Sequence, residues 1–185
     1  CLSAPGGVPK NNPPHFDGVN LHTDSGAPET TKIMAPFEIL DGAMGSELIK
    51  RGFALPENIW SADANMNCPE LVLQIHREYI NAGADYITAN TFRTTPRAYL
   101  KTGINSKNAS QAAKNSLMRA VKLAKIAAGS STKIIGSLAP LEDCYRPELF
   151  PGSDAAMSEF SQLGKWMAVA GVDILLLETM NSMSE

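Results

Sequence analysis

The chain has 185 residues, 44% hydrophobic and 19% charged, which is enough apolar material to bury a core and too much for a disordered protein. Its net charge of −3, without any dense Lys/Arg cluster, argues against nucleic acid as a partner. No apolar run approaches the roughly 20 residues that cross a bilayer, and the N-terminus lacks a basic-then-apolar leader, so the expectation is a cytoplasmic protein with no membrane partner.

Residues 1–35 carry Pro5-Gly6-Gly7, Pro13-Pro14, Gly18, Gly26 and Pro28 without an apolar period. This is the composition of a flexible extension, in which His15 and His22 are solvated. The first residue is Cys rather than Met, which points to a processed or incomplete start. Cys1, Cys68 and Cys144 are odd in number and far apart, which suits free thiols in a reducing compartment, and they show no metal-ligand spacing.

The ordered region is expected over 36–185. Phe37, Ile39 and Leu40 read as a first strand ending in Asp41, followed by Gly42, Gly45 and a short helix from Ser46 to Arg51 that Gly52 closes. Asp41 either caps that helix or faces a cavity at the strand's end, and these residues alone leave both readings open. A loop is predicted from Pro56 to Asn67, with Trp60 as an apolar anchor. Asp63, Asn65 and Asn67 half resemble a calcium loop, but Cys68 and Gln74 stand where its glycine and glutamate belong, which excludes calcium.

Pro69 and Glu70 suit the first turn of a helix whose Leu71, Val72, Ile75 and Tyr79 recur at helical spacing until Gly83. His76 lies at the edge of that stripe and reads as a boundary residue, since no partner stands at a catalytic spacing. Tyr86 to Ala89 form a second strand, leaving through Asn90-Thr91-Phe92-Arg93. A helix follows over Ser106 to Ala128, its lysines and arginine solvated, with Gly129 as its stop. Lys133 to Leu138 form a third strand. After Pro140 comes a polar loop, 142–148, where Arg146 either binds an anion or pairs with Glu142, Asp143 or Glu148. Phe160, Leu163, Met167 and Ala170 mark another helix, and Gly171 hands over to a fourth strand, Asp173 to Leu177, ending in Glu178-Thr179.

Ala82-Gly83-Ala84-Asp85 and Ala170-Gly171-Val172-Asp173 each precede an apolar run and lie 88 residues apart. They echo a β/α repeat. Near-continuously apolar strands alternating with helices imply a parallel sheet covered by helices. In such folds chemistry collects at the carboxyl ends of the strands, and here those ends supply Asp41, Asn90, Thr91, Ser137 and Glu178.

Ile39-Leu40-Asp41-Gly42-Ala43-Met44-Gly45-Ser46-Glu47-Leu48, Gly83-Ala84-Asp85 leading to Thr88-Ala89-Asn90-Thr91-Phe92, Gly136-Ser137-Leu138-Ala139-Pro140, Pro140 to Glu148, and Ala170 to Asp173 leading to Glu178-Thr179 resemble the homocysteine S-methyltransferase family. The resemblance covers residues 36–185. It implies an α/β chain forming the first half of a (β/α)8 TIM barrel. Homocysteine would lie at the carboxyl mouth, Asp41 and Glu178 would receive its ammonium group, and Asn90 and Thr91 would line the same pocket. It also implies zinc held by three cysteine thiolates, which activates the homocysteine sulfur toward a methyl donor such as S-methylmethionine or S-adenosylmethionine. Those cysteines belong to the barrel's second half, so Cys68 and Cys144 count as ordinary thiols and no zinc ligand is expected here. A partial sequence is therefore expected, with self-association through unpaired sheet edges. A non-catalytic half-barrel that binds an amino acid or a partner subunit is the alternative from another class. A barrel enzyme with a different substrate is a third.

Overall fold

A computed structural model of the protein describes residues 37–185, so the extension expected over 1–35 lies outside the described residues. In chain order the elements are α1 (Met44–Lys50), a 3-10 turn (Trp60–Asp63), α2 (Ala64–Asn67), α3 (Pro69–Asn81), β1 (Tyr86–Ala89), α4 (Pro96–Leu100) and α5 (Ser106–Ala128). These are followed by β2 (Lys133–Leu138), a second 3-10 turn (Pro147–Leu149), α6 (Ser153–Ala170) and β3 (Ile174–Leu177). The three strands form a parallel sheet in the order β1-β2-β3. Register runs from Tyr86↔Lys133 to Ala89↔Gly136 and from Ile135↔Ile174 to Leu138↔Leu177.

The strand expected over 37–40 is reduced to one parallel bridge between Leu40 and Tyr86. Its ladder starts normally, with Tyr86 N donating to the Ile39 carbonyl at 3.2 Å and Asp41 N donating to the Tyr86 carbonyl at 3.1 Å. The next donor, Thr88 N, goes to the Asp41 side chain instead of its backbone, at 2.8 Å to Oδ2. A side-chain acceptor has taken the ladder position, and the strand stops there.

The two Ala-Gly-x-Asp blocks do the same work in three dimensions. Gly83 and Gly171 have φ of 103° and 80°, conformations open to glycine, and each turns the chain out of a helix. Two residues later Asp85 N donates to the Ile39 carbonyl and its Oδ2 accepts from Ile39 N, both at 2.8 Å. Asp173 treats Ile134 identically, again with two bonds of 2.8 Å. Each aspartate therefore pins the start of its own strand to the one before it.

The main core lies between the sheet and α5 and α6. Ile87, Ala89, Ile134 and Leu138 pack against Leu117, Val121, Ala124 and Ala128 of α5 and against Leu163 and Met167 of α6. Full burial of each larger side chain contributes about 1.5–3 kcal/mol. The alanines on the inner face of α5 let it approach the sheet closely, and Asn105 fixes its start by accepting from Asn108 N at 3.0 Å. β3 is different: Ile174, Leu175 and Leu177 remain 39%, 48% and 65% exposed.

Two sequence expectations need correction, and one helix is added to them. The loop placed over 56–67 contains the 3-10 turn and α2. Its lack of a readable period reflects their shortness, since neither spans the two turns that a periodic stripe needs. Helix α4 was not foreseen. It starts at Pro96 under the cap of Thr95, whose Oγ1 accepts from Ala98 N at 3.0 Å. His76 is no boundary residue: it is fully buried, and neither imidazole nitrogen has a hydrogen-bond partner. No helix among the described residues is long and apolar enough to cross a membrane.

A candidate substrate site at the carboxyl ends of the strands

The exits of the Leu40 segment, β1, β2 and β3 surround a cavity of about 370 Å³, lined by Asp41, Thr88, Asn90, Ser137 and Glu178, with Trp60 and Phe92 at its rim. The volume suits a small metabolite. Asp41 does not cap α1, whose N-cap is Ala43 without a side-chain bond. Its carboxylate instead accepts twice from Thr88, Oδ2 from the backbone N–H and Oδ1 from the hydroxyl, both at 2.8 Å.

Burial is the largest influence on the Asp41 proton and raises its pKa above the ordinary carboxylate value. The two Thr88 bonds oppose that shift, and the nearby charge of Glu178 adds to it. Two acids thus share one cavity, each within the electrostatic reach of the other. Glu178 in turn accepts from the hydroxyl of Ser137, which is buried. Each acid at a strand exit is held by a hydroxyl from the neighbouring strand.

Asn90 and Thr91 part ways. Asn90 touches the cavity wall but spends its amide inside the protein. Its Oδ1 accepts from Ser61 Oγ at 2.6 Å, and its Nδ2 donates to the Ser61 carbonyl at 2.7 Å and to Asn65 Oδ1 at 2.9 Å. Thr91 is 2% exposed and lies outside the cavity lining. Its hydroxyl accepts from Ser137 N and donates to the Ser137 carbonyl, both at 2.9 Å, extending the β1–β2 pairing past the last backbone pair. Thr91 thereby fixes the residue that holds Glu178.

Sequence reasoning missed Thr88, Ser61, Asn65 and Ser116. A hydroxyl inside an otherwise apolar strand was the available signal for Thr88. The other three form a buried cluster with Asn90: Asn65 Nδ2 donates to the Asn90 carbonyl at 2.9 Å and to Ser116 Oγ at 3.0 Å, and Ser116 Oγ donates to the Ala62 carbonyl at 3.2 Å. The cluster ties the 3-10 turn to the exit of β1 and to α5. It also anchors Trp60, which has a φ of 49°, rare outside glycine. The Trp60 indole lies close enough to α1 that a Cβ on Gly45 would come within 2.9 Å of its Nε1.

A second cavity of about 500 Å³ adjoins the first, and Trp60 and Phe92 line both. Its other walls include Arg93, Lys101, Leu141, Tyr145 and Arg146. Two of its cations are already matched: Lys101 pairs with Glu142, which lies outside the lining and also pairs with Arg97 at 3.0 Å, and Arg97 reaches Glu159. Arg146 pairs with Glu148 at 2.8 Å, which selects one of the two roles left open for it. Among the described residues no group of three His, Cys, Asp or Glu side chains could hold a metal ion. Cys68 is buried and Cys144 half-buried, both as free thiols. The described side chains do not make a zinc site.

The profile of a family described as homocysteine S-methyltransferase matches residues 38–185. A homocysteine S-methyltransferase of Escherichia coli (strain K12) is 28% identical over 158 residues, covering 80% of this chain and 51% of the relative. Homocysteine S-methyltransferase YbgG of Bacillus subtilis (strain 168) is 36% identical over 74 residues, 40% of this chain and 24% of the relative. The crystal structure of the Escherichia coli homocysteine methyltransferase MmuM in its metallated form matches with a TM-score of 0.70 at 27% identity, over 80% of this chain and 55% of that one. The chain thus spans about half the length of the Escherichia coli relative. Since the profile runs through every strand and helix described above, with both cavity acids inside it, the chain belongs to the homocysteine S-methyltransferase family.

Proposed function

We propose that this chain supplies the amino-acid-binding side of a homocysteine S-methyltransferase, with the fold of the first half of a (β/α)8 barrel. The observation that carries the reading is that Asp41 and Glu178 line one cavity, each oriented by a hydroxyl from the adjacent strand. Two carboxylates flanking one cavity favour a cation between them. Charge-assisted hydrogen bonds to an ammonium group are stronger than neutral ones, and a pair of them fixes orientation as well as affinity. A bound ammonium also removes the repulsion between the acids.

In the reaction, the homocysteine sulfur forms a bond to the donor's methyl carbon as the bond from that carbon to the donor's sulfonium sulfur breaks. The thiolate's negative charge and the sulfonium's positive charge are both consumed, leaving methionine and a neutral thioether. S-methylmethionine and S-adenosylmethionine both fit this balance. We assign such a donor to the second cavity because it adjoins the first and shares Trp60 and Phe92 with it. The zinc implied by the family resemblance would draw its three thiolates from the barrel's second half, and it serves to keep a bound sulfur ionised at neutral pH. The residues described here orient the amino-acid end of the substrate.

The reading is tested by Asp41→Asn and Glu178→Gln in the full-length gene product. Each keeps shape and removes one charge, and should weaken homocysteine binding by about 1–3 kcal/mol with an unchanged far-ultraviolet circular dichroism spectrum. Wild-type affinity in both variants would show the assigned pocket to be wrong.

A further inference from the structure

We infer that Thr88 is a positioning residue, whose hydroxyl and backbone N–H together lock the Asp41 carboxylate in the orientation that meets the substrate's ammonium group. The inference rests on reading the Asp41–Glu178 cavity as the homocysteine site. Thr88 binds both oxygens of the carboxylate, one through each donor, and both bonds measure 2.8 Å. An ionised carboxylate offers about four lone-pair sites, so this grip uses two and leaves one on each oxygen for a ligand.

The Asp41 backbone N–H is held by the Tyr86 carbonyl at 3.1 Å, but that bond does not set the direction of its carboxylate. Asp41 ends a segment that pairs with the sheet only at Leu40, and Gly42, with its wide conformational freedom, follows it directly. Thr88 sits on β1, paired through its other edge with β2 in the Thr88↔Ile135 register. The rigid sheet therefore sets the direction of an acid that the loop would leave loose.

The grip also has an electrostatic effect. Burial and the charge of Glu178 favour the protonated form of Asp41, and the Thr88 hydroxyl is one of the groups that oppose them. Without that hydroxyl Asp41 takes up a proton at higher pH, and a neutral carboxyl no longer attracts an ammonium group. The loss of affinity in a hydroxyl-deleted variant is thus greatest at low pH and shrinks as pH rises.

The experiment is calorimetric titration with homocysteine at about pH 6 and about pH 8 on the full-length gene product, read as the ratio of variant to wild-type Kd so that the ligand's own ionisation cancels. Thr88→Val and, in case that variant misfolds, Thr88→Ala should both weaken binding about tenfold at the lower pH, with the ratio narrowing at the higher one. Thr88→Ser, which keeps the hydroxyl, should restore the affinity. A ratio that does not change with pH, or an equal loss in Thr88→Ser, would overturn the inference, since both describe a merely structural threonine. Asp41→Asn separates the two levels. Weak binding there with wild-type binding in Thr88→Val and Thr88→Ala removes the positioning role alone, whereas wild-type binding in both Asp41→Asn and Glu178→Gln removes the site assignment itself.

Discussion

Asn65 and Asn90 hold each other through two reciprocal hydrogen bonds of 2.9 Å, one from Asn90 Nδ2 to Asn65 Oδ1 and one from Asn65 Nδ2 to the Asn90 carbonyl. Both residues are buried, at 0% and 4% exposure, so neither can turn to water if the other is lost. The pair joins a segment that carries no strand to the end of β1, and through it the rim residue Trp60 keeps its place over the cavity.

Replacing Asn65 by Ala leaves the Asn90 carbonyl without the Asn65 amide and takes from Ser116 Oγ the bond it accepts, while Ser116 keeps its bond to the Ala62 carbonyl. The expected cost is about 2–3 kcal/mol, because buried polar groups left unpaired lose their full desolvation penalty. Urea denaturation should report the loss. The intrinsic tryptophan emission should shift to longer wavelength as Trp60 is freed. An Asn65→Ala protein of wild-type stability would mean that the network contributes nothing.

His76 makes acid stability a second test. Burial alone drives its pKa from 6.5 down to about 4, since both nitrogens lie in an apolar setting without a partner. The folded protein therefore keeps His76 neutral in a range where the unfolded chain protonates it. Stability is fully present above about pH 6.5 and is lost as pH falls toward 4, by about 3 kcal/mol across the window. His76→Leu should remove that slope, so the stability difference between wild type and variant changes with pH below neutrality and is flat above it. A difference that stays constant from pH 7 to about pH 4.5 would contradict the assignment.

The outer edge of the sheet gives the third prediction. β3 has an unpaired edge among the described residues and carries Leu175 and Leu177 at 48% and 65% exposure. Exposed apolar strand edges template further pairing. Residues 1–185 purified alone should sediment as concentration-dependent oligomers, and Leu175→Lys should shift them toward monomer. A wild-type chain that stays monomeric at high concentration would show this edge to be protected.

The sequence by itself determined the parts of this protein that repeat or persist. The long α5 was legible to its last residue because 23 residues give a full apolar stripe with a cap at each end. β2 was legible because a short apolar run with two isoleucines lies between Gly129 and Pro140, too short for a helix. The Ala-Gly-x-Asp echo was legible as a repeat, although what the aspartates do, each pinning a neighbouring strand, became visible only in the hydrogen bonds.

Tertiary structure decided what depends on one residue meeting another far away in sequence. Asp41 could cap α1 or face a cavity until the structure placed Ala43 at the cap and Thr88, 47 positions on, against the Asp41 carboxylate in the cavity wall. Asn90 and Thr91 read alike as polar residues at a strand exit, yet one turns to Ser61 and Asn65 and the other to the backbone of Ser137. His76 read as a boundary residue because helical phase sets direction only to within a residue or so, while the neighbours on α3's flanks decide burial. Short elements such as α2 and α4 escaped for a related reason, since their stability comes from packing and buried polar bonds rather than from any period the chain could display.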